Sequence, residues 1–430
     1  MLPRGIICTA VFFFPCLIVP LGGIAFGQQD NIGTADSLFK AGKFAEAEKL
    51  YARVLDKDAK SYQALVKMGY LALLSNRLDE AQNWLKKALE LKPDDPSPIS
   101  LLAETFYRRD DFGRAAPLLR AINQEAKAKQ LESFKTGAPY QIEGQAQVAS
   151  LKFVMTDPLP VVQVRVNGKD PVNFFIDTGG AEIILDPEFA QKVGATKYGS
   201  ETGAFGGGKK AAFDFARVDS VTLGDFTIKN VPVHLLAVRR FSQPVFGGRQ
   251  VDGIIGTVLL YHFLATLDYP RGELVLQRKT SASQSNFARE AEQDRLISVP
   301  FWMAGDHYMV AWGTANQSGP MLFFVDTGLA GGGFMSPEST LKKANIKLLE
   351  SQASEGVGGG GKFRSVPFVV DELTFGEARE KNVPGSFSGP FQLEDSFGFH
   401  IGGLISHVFF RPHAVTFDFD GMRIFLKRKE

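Results

Sequence analysis

The alternation of apolar and polar positions changes character once along the chain. From Thr34 to Asn123 apolar residues recur three and four apart, the spacing of helices with one buried face. The pattern also repeats. Phe44, Leu78 and Phe112 are 34 residues apart, as are Ala47, Ala81 and Ala115, and Tyr51, Leu85 and Leu119 keep the same register. Gly42-Lys43, Asn76-Arg77 and Asp110-Asp111 supply a turn before the second helix of each unit. Small residues at the alanine positions let paired helices approach closely, and the large apolar ones fill between them. Three helix-turn-helix units are predicted, the third losing its pattern after Leu119. Residues 124–140 are charged and then carry Gly and Pro, which predicts a helical tail and a linker.

From Gln141 onward the apolar runs are short and β-rich, bounded by Gly, Pro, Asn and Asp. This region is one unit written twice, at an offset of about 150 residues. Phe174-Phe175-Ile176-Asp177-Thr178-Gly179 recurs as Phe323-Phe324-Val325-Asp326-Thr327-Gly328. Asp186-Pro187-Glu188 recurs as Ser336-Pro337-Glu338, each an N-cap followed by proline at the first helical position, so a short helix is expected after each acidic turn. Lys229-Asn230-Val231-Pro232 recurs as Lys381-Asn382-Val383-Pro384, and Asp252-Gly253-Ile254-Ile255-Gly256 as Gly402-Gly403-Leu404-Ile405-Ser406. Each half ends on an acid before a hairpin, Asp268 and Asp418, which read as structural. The expected organisation is a first β lobe over 141–280, a polar linker over 281–297 and a second lobe over 298–430.

The chemistry lies in the repeated acid. An apolar strand that ends on Asp177, or on Asp326, carries a carboxylate to the buried end of that strand. Such a group is costly unless it is hydrogen-bonded, protonated or matched to a partner. The simplest partner for one acid is the other. Two carboxylates face to face share a proton, and the pair can polarise a water for attack on a peptide carbonyl.

Two β lobes that each bring an Asp-Thr-Gly turn resemble the aspartic proteases of the pepsin and retropepsin kind. The resemblance implies a bilobal acid-protease fold with Asp177 and Asp326 facing across a pseudo-twofold axis as the catalytic pair. It implies that Thr178 and Thr327 hydrogen-bond across the lobe interface, that Gly179 and Gly328 permit a sharp backbone, and that the late Ile254-Ile255-Gly256 and Leu404-Ile405-Ser406 stretches back the acidic turns. Glycine-rich segments about thirty residues after each acid are read as flaps over substrate. Phe205, Gly206, Gly207 and Gly208 form one, and Val357, Gly358, Gly359 and Gly360 the other. Their Gly-rich spacing up to Lys209 and Lys362 resembles a phosphate-binding loop, but the next residues are Lys210 and Phe363, where that loop needs Ser or Thr. Nucleotide binding is therefore not expected. The sequence departs from the family pattern at Gly180 and Leu329, where Ser or Ala is usual, and at Ser406, where glycine is.

The helical region, by its 34-residue period, resembles the tetratricopeptide repeat. Its concave face is open to two readings, a dock for substrate or partner protein and a plain spacer. If it only recruits, deleting 34–123 should spare cleavage of short peptides.

Composition adds three limits. A net charge of +1 gives no reason to expect nucleic acid as partner. The 37 Phe fall mostly in the β half, where they supply core. The two cysteines, Cys8 and Cys16, both lie in the N-terminal segment, where Arg4 precedes an apolar run closing on Ala25-Phe26-Gly27. That segment reads as a signal peptide, residues 1–27, cleaved near Gly27-Gln28; uncleaved, it would anchor the chain to a membrane. The mature chain then has no thiol chemistry. The six histidines show no metal-ligand spacing and read as surface or half-buried residues, so neither metal nor cofactor is expected. The expectation is an exported (periplasmic or secreted) aspartic endopeptidase acting on polypeptide; the alternative is a non-catalytic peptide- or protein-binding scaffold with degenerate lobes.

Overall fold

The structure is a computed structural model that describes residues 32–135, 137–205, 208–389 and 393–429. The N-terminal segment expected to direct export lies outside the described residues, as do Gly206 and Gly207.

Seven helices come first: α1 (Ile32–Lys40), α2 (Phe44–Lys57), α3 (Tyr62–Leu74), α4 (Leu78–Leu91), α5 (Pro96–Tyr107), α6 (Phe112–Ala121) and α7 (Glu125–Glu132). The repeat sets both their ends and their packing. Phe44, Leu78 and Phe112 open α2, α4 and α6, and each is preceded by a residue in the left-handed region, Gly42, Asn76 or Asp110. Ala47, Ala81 and Ala115 are fully buried. A Cβ on Gly69 of α3 would come within 2.6 Å of Leu85 of α4, so glycine sets how closely that pair packs. The tail expected after the array contributes α7, which lies against the first β lobe.

The β region forms two sheets. Strands Val148–Lys152, Glu273–Arg278 and Phe263–Asp268 of the first half continue directly into His413–Asp418, Arg423–Arg428 and Ile297–Ala304 of the second. Those six strands bridge the halves. At their centre Thr266 pairs with Thr416, and the two hydroxyls meet at 2.8 Å. Equivalent residues touching in this way mark the pseudo-twofold axis of a duplicated chain.

Within each lobe the strand leading to the acid runs parallel to the late apolar stretch. Phe174 pairs with Gly253 and Ile176 with Ile255; in the second lobe Phe323 pairs with Gly403 and Val325 with Ile405. Asn230 and Asn382, both with positive φ, and the hairpin glycines Gly224 and Gly376 also repeat.

Two elements differ from expectation. The segment expected as a linker forms a helix, Ser281–Gln293, begun by a capping box between Thr280 and Ser283. In the first lobe Asp186 caps helix Pro187–Val193 through the Glu188 N–H, but in the second Pro337 takes the cap position and Ser336 makes no capping bond. The Ser336 hydroxyl turns instead to the carbonyl oxygens of Pro337 and Gly402.

The helical array shares core with the β lobes. Phe39 and Phe44 pack on Phe399, Phe44 also meets Trp302, and the Lys40 carbonyl accepts from the His400 N–H at 2.8 Å. Asn76 donates to the Phe419 carbonyl at 3.1 Å, and Tyr140 stacks on His262 at 4.0 Å.

Candidate active site

The two strands that precede the acids deliver them to one place. Asp177 N donates to Ile255 O and Asp326 N to Ile405 O, each at 3.0 Å, so each acidic turn is seated on the late stretch of its own lobe. Between the turns, Thr178 N donates to the Thr327 hydroxyl and Thr327 N to the Thr178 hydroxyl, both at 3.0 Å. Those hydroxyls in turn donate to Val325 O at 2.9 Å and Ile176 O at 3.3 Å. Both threonines are fully buried. Four hydrogen bonds, each crossing the lobe interface, thus fix one turn against the other.

Each carboxylate accepts from the glycine two residues on, Asp177 from Gly179 N at 2.8 Å and Asp326 from Gly328 N at 2.7 Å. These glycines are not at positive φ, so the expected backbone reason does not hold. Their role is one of space. A Cβ on Gly179 would lie 2.5 Å from the Asp326 carboxyl carbon, and a Cβ on Gly328 would overlap the Asp177 carboxylate. Glycine is needed because the opposite acid lies against its Cα.

Burial raises both carboxyls above the usual range. For Asp326 the charge of Asp177 and the hydrogen bond between the acids add to burial and push it well above that range; at Asp177 that same hydrogen bond, then the Gly179 N–H and His307, act against burial. The pair therefore shares one proton between its two acids.

The departures from the family pattern are accommodated. Ser406 is fully buried with φ −135, an extended backbone open to any residue, and its hydroxyl accepts from Leu329 N at 3.2 Å. Gly256 has no such freedom, because a Cβ there would overlap the carbonyl oxygens of Ala181 and Glu182.

Paired antiparallel strands flank both glycine-rich stretches. Strands Thr196–Phe205 and Lys209–Leu223 form one hairpin, Ser354–Gly358 and Gly361–Phe375 the other. No helix follows either, so neither offers the helix N-terminus on which a phosphate rests. The two hairpins meet. Gly359 lies against Phe205, and Gly360 against Lys209. Phe205 also packs in a cluster with Phe175 and Ile184, which flank the first acidic turn. Gly208 has positive φ, and Val357 and Gly358 pair with Lys362 and Gly361 at the second tip.

Sequence reasoning missed a buried polar group beside the acids. Glu182, five residues after Asp177, is fully buried; it accepts from the Tyr107 hydroxyl and from Gln130 at 3.4 Å, with His234 Nε2 at the same distance. Nearby, Asp306 pairs with His307 at 2.6 Å and with Lys127 at 3.3 Å. Against burial, which opposes it, Lys127 and then His307 hold the Asp306 carboxyl well below the usual range. Asp306 repeats an acid of the first half, Asp157, which pairs instead with Arg411; Glu182, His234 and His307 have no like counterpart, so the duplication did not point to the cluster. The expectation of surface or half-buried histidines also fails at His307, His407 and His413, which are buried.

The comparisons bear on the two regions and on the first acidic turn alone. Residues 162–259 match the family model of aspartyl proteases, and residues 38–105 match that of the tetratricopeptide repeat. The chain thus carries a region similar to tetratricopeptide repeats ahead of a region similar to an aspartyl protease domain. No curated protein matches it.

Proposed function

We propose that this protein is an exported aspartic endopeptidase of the two-flap kind. The observation that carries the proposal is the facing of Asp177 and Asp326 across four threonine hydrogen bonds, with a glycine cleared on each side for the opposite carboxylate. Asp177, ionised, takes a proton from a water held between the acids. The water oxygen bonds to the peptide carbonyl carbon while Asp326 gives its proton to the carbonyl oxygen. The resulting gem-diol collapses as the C–N bond breaks; the nitrogen takes the proton from Asp177, and Asp326 recovers its own from the hydroxyl. Substrate lies extended beneath the two hairpins, adding strand-like backbone hydrogen bonds. Export is inferred from the N-terminal segment.

The test is digestion of a denatured peptide library by the mature chain from pH 3 to 8, beside Asp177→Asn and Asp326→Asn and with a statine-type inhibitor. Activity is expected in the wild type alone and is blocked by the inhibitor. Cleavage retained by either folded Asn variant would remove the dyad from the mechanism.

A further inference from the structure

The two ends of the cleft between the lobes differ. The pseudo-twofold axis relates the turn Gly305-Asp306-His307, which precedes strand Tyr308–Ala315, to Thr156-Asp157-Pro158, which precedes Val161–Val166. It also relates the stretch around Glu182, just past the first acidic turn, to that around Gly331, just past the second. At one end His234 lies 3.4 Å from Glu182, and Lys127, over the ring of the Tyr107 that donates to Glu182, reaches Asp306 of the other element. At the other end stand Asp157 and Gly331.

Helices α5 and α7, with Arg108 just after α5, cover the first end. Tyr107 donates to Glu182; Gln130 donates to Glu182, to Ala216 O at 2.7 Å and to Val233 O at 3.1 Å. Arg108 donates to Met303 O at 2.7 Å and to Gly305 O, and Lys127 reaches Asp306. Ala126 presses on Gly199 at the base of the first hairpin, where a Cβ would lie 2.7 Å from its own. As a result the His307 side chain, although in a hairpin turn, keeps only 11% of its surface exposed. At the second end Asp157 keeps 57%, with Arg411 as partner, and Ala330 and Gly331 are exposed.

We propose that the helical array closes one end of the cleft, so that substrate runs past the acids freely in one direction and for only a few residues in the other. This rests on the peptidase reading and narrows it. The substrate is a polypeptide cut close to one of its termini. The closure is a wall, since opening it would break the hydrogen bonds of Tyr107, Gln130 and Arg108 to the lobes together and bare the apolar surface between them.

Binding of statine-core peptides to the full chain, measured by calorimetry, tests this. One flank is lengthened a residue at a time while the other is held, and then the reverse. Past a few residues, lengthening one flank should weaken binding about tenfold or more, as a steric block does, while the other flank is tolerated. Equal tolerance on both sides, or no binding by any peptide, overturns the proposal. Lys127→Ala, at a partly exposed position, and the double variant with Gln130→Ala should relax the limit; an unchanged limit in folded Lys127→Ala overturns the array's part in it. Hydrolysis of the matching amide peptides is followed separately. One-sided binding without hydrolysis would remove the peptidase reading and leave the one-ended cleft standing.

Discussion

At the residue scale the site depends on clearances of a few tenths of an ångström. Gly328→Ala places a methyl group on the Asp177 carboxylate. Displacing a reacting group by about 1 Å costs on the order of 10²-fold in rate. The expected outcome is a folded protein whose kcat falls at least that far, read by steady-state kinetics beside a melting curve. The acids also set a pH dependence. Their folded pKa values are raised, so their contribution to stability is present at acid pH and lost as pH rises through the folded values. Asp326→Asn removes the repulsion. It should melt above the wild type at pH 7 and converge with it near pH 4, as calorimetry would show. His407 and His413 act in the opposite direction. Burial pushes each down to about 4, so the stability they favour is complete above pH 6.5 and is lost as pH falls from there to about 4. His413→Gln should lose less melting temperature than the wild type between pH 7 and 5.

At the element scale, equivalent elements of the duplicated unit solve the same problem differently. Gly256 is held against two carbonyl oxygens of its own acidic loop, so Gly256→Ala must move backbone. Ser406 occupies the equivalent place at ordinary φ and adds a hydrogen bond to Leu329 N. Gly256→Ala should cost about 3 kcal/mol or more as overpacking against backbone, whereas Ser406→Gly should cost about 1 kcal/mol for one hydrogen bond. Urea denaturation of the two variants measures the difference; equal losses would contradict this account. The strands, the repeat helices and the duplicated register were legible in the sequence because each follows a local period. The helix at Ser281–Gln293 was not, because its polar composition carries no apolar stripe while its capping box is a local signal that polarity obscured. The cap at Ser336 was misread because a nearby carbonyl competes for its hydroxyl.

At the scale of the whole molecule the array is part of the core of the β lobes. Truncation at Gln141 would strip Phe39 and Phe44 from Trp302, Phe397, Phe399 and Leu322. At about 1.5–3 kcal/mol for each large side chain left exposed, the loss reaches the whole stability of an ordinary domain, about 5–15 kcal/mol. The truncated chain is expected to be insoluble, or to lack fixed tertiary packing by near-ultraviolet circular dichroism. Recovery of a soluble, well-packed β region would refute the shared core. The expectation that deleting 34–123 spares short-peptide cleavage is therefore withdrawn on physical grounds: the same helices that could recruit a partner also cover apolar surface of the lobes.

The sequence by itself determined the helical period, the duplication and the two residues most suited to share a proton, because each is written in local pattern or in self-similarity. It also carried the threonines and glycines of the acidic turns, although the reason for those glycines emerged only when the opposite carboxylate was seen against them. Tertiary structure alone decided that Glu182, Asp306 and His307 lie together beneath Tyr107, Lys127 and Gln130. Such a cluster joins single residues from segments up to 200 positions apart, and no period or repeat relates them. Their meeting is a consequence of where the array docks, and docking is fixed by buried surface shape, which a linear pattern does not encode.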